Sequence, residues 1–257
     1  MKIAIVKLSA LGDIVHAMVV LQFIKKFNKE ISIDWIVDES YKDLLEFHPD
    51  INKVHFLNLK QAKNEKSLSI LIKELKKIRK LTPYDIVIDM QGLIKSAIVS
   101  KLIPAHKTIG FDKESIRERL ASVFYSDKFN YEYTKNVIER NVALIEFALN
   151  MSISKLQIQQ KAPFLFPRGL KLVNNLSTFK KNILLIPGAS NISKCYPPYK
   201  FAELTALFDA NFLVIWGNKE EKMMANKIKE LSNKVSVCNQ LKLDDLMLLI
   251  SKVDLVI

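Results

Sequence analysis

The sequence predicts an α/β protein built from two Rossmann-like domains, each a doubly wound parallel sheet, and three observations carry that prediction. Short β-branched runs alternate with amphipathic helical stretches along nearly the whole chain of 257 residues. The alternation lapses between Ser152 and Asn182, where two prolines, a glycine and scattered polar residues read as a domain linker, and then it starts afresh. The first strand also leads into a short turn and a helix with a carboxylate at the junction, the edge at which open α/β sheets bind ligands. These observations divide the chain into domains at residues 1–160 and 161–257.

The elements follow in order. Ile3 to Val6 reads as a buried strand, followed by a turn holding Ser9, Gly12 and Asp13 and by the helical run IVHAMVVLQFI. Ser32 to Ser40 is a second strand and Val54 to Leu59 a third. A helix comes next, with Leu68, Leu71, Ile72, Leu75 and Ile78 on one face and Lys73, Lys76, Lys77 and Lys80 on the other. Tyr84 to Met90 suits a buried parallel strand and runs into Gln91-Gly92-Leu93 and another helix. Lys107 to Phe111 is a fifth strand, and helices over Ile116 to Tyr125 and Thr134 to Leu149 complete the first series. Beyond the linker, strands are expected at Asn182 to Gly188, Asn211 to Gly217, VSVCN and Asp254 to Ile257. Helices are expected at YKFAELTALFD, EKMMANKIKELS and LDDLMLLISK. The final DLVI reads as a strand cut at its last residue, so the second domain is expected to be truncated.

Composition narrows the partners without choosing one. Lys and Arg total 39 against 27 Asp and Glu, a net charge of +12. That field attracts nucleic acid, phosphorylated sugars or an anionic membrane surface, and a merely lysine-rich solvated surface would carry it too. Two distant cysteines, Cys195 and Cys238, argue against a disulfide framework or a structural zinc site and fit a reducing compartment. His16, His48, His55 and His106 lack metal-ligand spacing. There is no long apolar run to span a bilayer, and Lys2 and Lys7 bracket a strand rather than a signal peptide. The expected location is cytoplasmic, compatible with the periphery of a membrane.

The turn after the first strand invites a dinucleotide reading, which its single glycine denies, because G-x-G-x-x-G is needed for backbone to approach pyrophosphate. Walker A, H-E-x-x-H and G-x-S-x-G patterns are absent as well. What remains is K-x-x-x-L-G-D from Lys7 to Asp13, D-x-Q-G-x-x-K-S from Asp89 to Ser96, and P-G-A-S-x-x-x-K-x-Y-P from Pro187 to Pro197. In this order and spacing they resemble the ADP-heptose:lipopolysaccharide heptosyltransferases of glycosyltransferase family 9, most closely the type I enzymes. The resemblance runs through essentially the whole chain, including DWIVDES, RERLASVFY, the IERN helix and ISKVDLVI.

That resemblance implies a GT-B fold, with an N-terminal acceptor domain and a C-terminal nucleotide-sugar domain facing a cleft. It implies metal-independent, inverting transfer of L-glycero-D-manno-heptose from ADP-heptose to the Kdo of Kdo-lipid A, at the cytoplasmic face of the inner membrane. Asp13 matches the catalytic base; inversion calls for one base opposite the leaving group, and the bland alternative is a cap on the first helix. Lys194 matches the lysine beside the donor phosphates, where a cation offsets charge on departing ADP. Ser9, Gly12, Ala189 and Ser190 fall in the donor-binding motifs, although Ala189 stands where relatives often carry a hydroxyl. Glu221, with Glu220 as a neighbouring rival, matches the acid that accepts two hydrogen bonds from the ribose diol. Leu241 aligns with an apolar residue that packs on adenine, and core packing is its alternative. On the acceptor side the resemblance points to Lys60, Lys63, Lys66, Gln91, Gly92, Lys95, Arg117 and Arg119. The lysines suit diffuse attraction to phosphate, Gly92 suits close substrate approach, and one of the two arginines is expected to meet an acceptor carboxylate.

Two other readings stay open on sequence alone. A type II heptosyltransferase or another family 9 enzyme would share these motifs. A non-enzymatic module for nucleic acid or another anionic surface would share the charge, but it would interleave exposed aromatics with its cations, and here the aromatics sit within apolar segments.

Overall fold

In the computed structural model, which describes residues 1–168, 175–189 and 191–257, the chain divides into two units, Met1–Phe166 and Pro167–Ile257. Residues 162–166, which the sequence assigns to the second domain, pack on the first. Ala162 N–H donates to the Gln22 side chain at 2.9 Å, and the Phe166 ring meets His48 edge-on at 4.8 Å.

The first unit opens with β1 (Lys2–Val6), whose Ile3 to Val6 are fully buried, as a strand covered on both faces requires. The helix expected next comes in two parts, α1 (Leu11–Met18) and α2 (Val20–Phe27), meeting at Val19. β2 (Ser32–Asp38) ends before Ser40 because the Asp38 carboxylate takes the Ser40 N–H at 3.1 Å and caps a 3₁₀ turn over Glu39–Leu44. Then come β3 (Lys53–Leu57), α3 (Leu59–Asn64), α4 (Leu68–Arg79), β4 (Tyr84–Asp89), α5 (Ile94–Leu102) and β5 (Ala105–Phe111).

The helix expected at Ile116 to Tyr125 is instead a 3₁₀ turn confined to Arg119–Phe124, and it leads into a short strand the sequence did not announce, β6 (Asp127–Phe129). Tertiary contacts override local preference there. Glu118 accepts the Ile94 N–H at 2.8 Å, the Tyr125 hydroxyl donates to Asp89 at 2.9 Å, and the Tyr125 ring fills the space beside Gly110, where any Cβ would clash. α6 (Val137–Leu149), capped by Asn136, and the short α7 (Lys155–Gln159), held by a Ser154–Gln157 capping box, finish the unit.

The first sheet is parallel throughout, with strand order β3-β2-β1-β4-β5-β6. The order reverses between β1 and β4, so the carboxyl ends of those two strands flank the crevice in which such sheets hold ligands.

The second unit comprises β7 (Asn182–Leu185), a 3₁₀ turn at Ile192–Lys194, α8 (Pro198–Ala206), β8 (Asn211–Val214), α9 (Lys219–Leu231), β9 (Val235–Val237), α10 (Leu243–Ile250) and β10 (Leu255–Val256). Its strands pair in parallel in the order β10-β7-β8-β9. Alternation along β7 and β8 builds two cores: Ile183, Leu185, Phe212 and Val214 pack on one face, and Leu184, Leu213 and Ile215 on the other.

Away from the ligand edge, four strands of the first sheet are tied together by Asp34. Its carboxylate accepts from Tyr84 Oη at 2.6 Å and Asn52 Nδ2 at 2.8 Å, pairs with His55 Nε2 at 3.1 Å, and lies 3.7 Å from the Lys2 ammonium. Burial pushes this carboxyl upward, but hydrogen bonds from His55, Asn52 and Tyr84, with the Lys2 charge, outweigh it and hold it well below the usual carboxylate range. A depressed carboxyl stabilises the fold above its unfolded value, near about pH 4, and that contribution is lost as pH falls through the folded value. Asp34→Ala should therefore destabilise the protein by about 3 kcal/mol in thermal melts at pH 7 and flatten the loss of stability between roughly pH 4 and pH 2. An acid limb identical to that of the unmutated chain would show that Asp34 does not carry it.

Candidate functional site

At the switch point the β1–α1 turn and the β4–α5 turn are bound together by one side chain. Gln91 Oε1 accepts the Leu8 and Ser9 N–H groups at 2.9 and 3.0 Å. Gln91 is held in turn by Asp89, whose carboxylate takes the Gln91 and Gly92 N–H groups at 2.8 and 3.2 Å and the Tyr125 hydroxyl. Asp89 is fully buried, and burial drives its carboxyl upward against those hydrogen bonds. Burial beside Asp89 likewise raises the Tyr125 hydroxyl.

This scaffold sets Asp13 in a cavity of about 270 Å3 lined also by Lys7, Gln91, Gly92, Arg117 and Arg140. Asp13 is exposed at the third position of α1. Ala10 takes the N-cap place, and its N–H reaches an Asp13 oxygen at 3.4 Å. The long contact leaves most of the carboxylate's hydrogen-bonding capacity available. Lys7 had no role in the sequence reading beyond its place in a motif. It is 6 % exposed, donates from Nζ to the Met90 carbonyl at 3.0 Å, and its pKa is lowered by burial against the opposing pull of Asp13 and Asp89. Arg140 was also missed: its guanidinium donates to the carbonyls of Ser115, Glu132 and Tyr131 and lies over the Phe111 ring. A lysine closing an apolar strand is the available signal for Lys7, and Arg140 lies in the IERN segment that the resemblance includes, with no role attached to it there.

Gly92 has φ +68°, and a Cβ there would fall 2.7 Å from Ile116 Cγ2, so its bareness admits the 116 segment, while the residue itself lines the Asp13 cavity. Of the two arginines, Arg117 lines the Asp13 cavity, while Arg119 is largely exposed and pairs with Glu114 at 3.5 Å. At Gly12 a Cβ would meet open space.

A larger cavity, of about 820 Å3, lies on the other side of the same turn. It gathers Lys60, Lys63, Lys66 and Lys95, as the acceptor reading expects, together with Ser9, which the sequence assigns to the donor. Lys95 Nζ donates to Ser9 Oγ at 3.3 Å, and the Lys60 N–H is fixed by Asp38 at 3.0 Å.

In the second unit, Glu221 lies beyond β8 in the first turn of α9. Its Oε2 takes the Gly217 N–H at 2.6 Å, its Oε1 takes Asn218 Nδ2 at 2.8 Å, and Asn218 caps α9 by accepting the Glu221 N–H. A Cβ on Gly188 would fall 2.4 Å from the Glu221 carboxyl carbon, so this carboxylate rests on the turn after β7. Glu220 is exposed, whereas Glu221 is half-buried. Lys194 is exposed at the end of its 3₁₀ turn, Ala189 is exposed, and Ser190 lies outside the described residues. Leu241 packs half-buried on the cluster of Leu184, Leu213, Ile215 and Leu249. Among the described residues no group of three or more His, Cys, Asp or Glu is placed to hold a metal ion, and no helix is long and apolar enough to cross a membrane.

Comparison with known proteins adds the family. The model for glycosyltransferase family 9 (heptosyltransferase) matches residues 71–257. The chain is 38% identical to lipopolysaccharide heptosyltransferase 1 of Campylobacter coli, over 100% of this chain and 78% of the relative. It is 27% identical to lipopolysaccharide heptosyltransferase 1 of Escherichia coli K12, over 95% of this chain and 77% of that one. Among solved structures it is similar to the E. coli heptosyltransferase WaaC with ADP, at a TM-score of 0.84 and 23% identity over 100% of this chain and 80% of that one. It is similar also to E. coli ADP-heptose lps heptosyltransferase II, at a TM-score of 0.71 and 18% identity over 100% and 78%. The structural likenesses establish the shared GT-B α/β fold. With the family model covering most of the sequence and a relative 38% identical over the whole of this chain, the chain belongs to glycosyltransferase family 9, the heptosyltransferases.

Proposed function

We propose that this glycosyltransferase moves L-glycero-D-manno-heptose from ADP-heptose to the Kdo of Kdo-lipid A, inverting the anomeric centre, with Asp13 as general base. The observation that carries the reading is the exposed Asp13 carboxylate at the switch point, beside the cations Lys7 and Arg117. The relatives bearing the heptosyltransferase 1 name favour this acceptor over the type II one.

In the proposed reaction a Kdo hydroxyl oxygen attacks the heptose anomeric carbon. A carbon–oxygen bond forms to the acceptor, the bond to the β-phosphate oxygen breaks, and ADP leaves with the electron pair. The hydroxyl proton passes to the Asp13 carboxylate, which must be ionised to receive it. Lys7 and Arg117 supply positive charge for the Kdo carboxylate, which orients the hydroxyl toward Asp13. On the donor side Lys194 offsets the charge that grows on the departing diphosphate, a role that requires no metal. Glu221 keeps lone pairs on both oxygens beyond those used by Gly217 and Asn218, enough to accept the ribose diol. A peripheral position at the cytoplasmic face of the inner membrane follows from the lipid nature of the acceptor, and the +12 charge favours an anionic leaflet.

The direct test is ADP release from ADP-heptose with Kdo-lipid A present or omitted. Release that depends on Kdo-lipid A supports the reading, and release only with an already heptosylated core moves it to the type II reaction. Asp13→Asn keeps the shape of the site and removes the base, so turnover should fall by about 10²–10⁴-fold with ADP affinity nearly unchanged; turnover at the normal rate would end the assignment. Lys194→Ala should weaken ADP binding and lower the rate together, each by about tenfold or more. An unaltered ADP dissociation constant, measured by calorimetry, would remove Lys194 from the donor site.

A further inference from the structure

The larger cavity of the first unit joins two chemistries that neither a sugar nor a nucleotide needs together. Lys60, Lys63, Lys66 and Lys95 line it, and so do the hydrocarbon side chains of Leu71, Leu75 and Ile98, which are half-buried between α4 and α5. Leu68, at the start of α4, lines it while 73% exposed and extends the apolar floor to its rim. Among the described residues the cavity has one carboxylate, Asp38, and both its oxygens are engaged by backbone, Oδ1 by the Ser40 N–H and Oδ2 by the Lys60 N–H. The lysines are therefore left to face a ligand, over an apolar floor.

We propose that this groove holds one hydrocarbon chain of an anionic lipid, the chain lying on Leu71, Leu75 and Ile98 and the phosphate meeting Lys63, Lys66 and Lys95. The inference deepens the heptosyltransferase reading and rests on its lipid acceptor, assigning a place to the acyl part of a substrate whose sugar reacts elsewhere. Continuity of the chain supports it. Ser9, bonded to Lys95, lines the groove, and Asp13, one turn further on, lines the reaction pocket. A lipid gripped in the groove thus presents its sugar beside the base. Simple adhesion to a membrane surface would use the lysines alone, since a flat anionic surface does not reach half-buried leucines.

The test is calorimetric titration of the protein with single-chain alkyl phosphates below their micelle concentration, with inorganic phosphate as the reference. Over chains of about four, eight and twelve carbons, affinity should rise roughly tenfold for each two methylenes until the groove is full. Leu71→Glu and, independently, Ile98→Glu should abolish most of that rise, and Lys63→Glu with Lys66→Glu should remove the preference for alkyl phosphate over a neutral alkyl maltoside. Affinity no greater than that of inorganic phosphate at every chain length overturns the proposal. So does binding to anionic vesicles without binding to monomeric amphiphiles, which would mark the face as a membrane contact instead. Transfer to a deacylated Kdo acceptor, assayed in parallel, separates the two readings. Transfer without chain binding defeats the groove alone, whereas chain binding with no transfer to any acceptor defeats the heptosyltransferase reading and leaves the groove standing.

Discussion

The candidate site depends on one constraint, the clamp of the Gln91 carboxamide on the N–H groups of Leu8 and Ser9. β1 and β4 are hydrogen-bonded neighbours whose ladder ends before the turns begin, and on the other side Leu8 is held to β2 by the Asp38 N–H at 3.2 Å. Gln91 extends the register by one further link, through a side chain rather than through backbone. Behind it, buried Asp89 fixes the 91–92 backbone and is itself fixed by Tyr125, which fills the space over Gly110. The chain of dependence runs from a packed aromatic through a buried carboxylate to the turn that carries Asp13. Each member is hydrogen-bonded, so the polar core costs little relative to an unsatisfied one.

The same scaffold explains how one turn serves two cavities. Ser9 and Asp13 lie on either side of the bend, Ser9 with the lysine groove and Asp13 with the pocket of Lys7 and Arg117. Because both are carried by one clamped segment, the separation of the groove from the Asp13 carboxylate is set without any further element having to move. In the second unit the equivalent support is steric. Gly188 leaves the space that the Glu221 carboxylate occupies, and Gly217 and Asn218 hold that carboxylate by hydrogen bonds.

Elements whose fate is decided by local pattern were legible in the sequence. β1, β4, β7 and β8 announce themselves as apolar β-branched runs, and α4 and α9 by their periodicity. What could not be read was decided by distant partners. The segment from Ile116 to Tyr125 has helical composition and yet is held as a 3₁₀ turn by Glu118 and Tyr125 reaching residues far away in sequence. The domain boundary moved for the same reason, since Ala162 and Phe166 find partners in Gln22 and His48. In the site, motif order drew notice to Asp13, Gln91 and Lys95, and the resemblance added Glu221 and the other groove lysines; the structure puts Arg117 in the Asp13 cavity and pairs Arg119 with Glu114. Lys7 and Arg140 escaped because burial, which makes a cation informative, is not written in one strand or one helix.

That difference in burial sorts the cations of the first unit into two kinds of recognition. Lys7 and Arg140 are desolvated and held by carbonyl oxygens, so their positions are set before any ligand arrives, and they can discriminate an anion by geometry. Lys60, Lys63, Lys66 and Lys95 are solvated, on flexible stems, and suited to attracting phosphate over a distance set by ionic strength. An acceptor with a carboxylate near its reacting hydroxyl and phosphates further away requires both kinds, in that arrangement. The fixed cations stand with the exposed Arg117 in the Asp13 pocket and the loose lysines stand across the turn from it, so the pre-positioned positive charge is gathered beside Asp13.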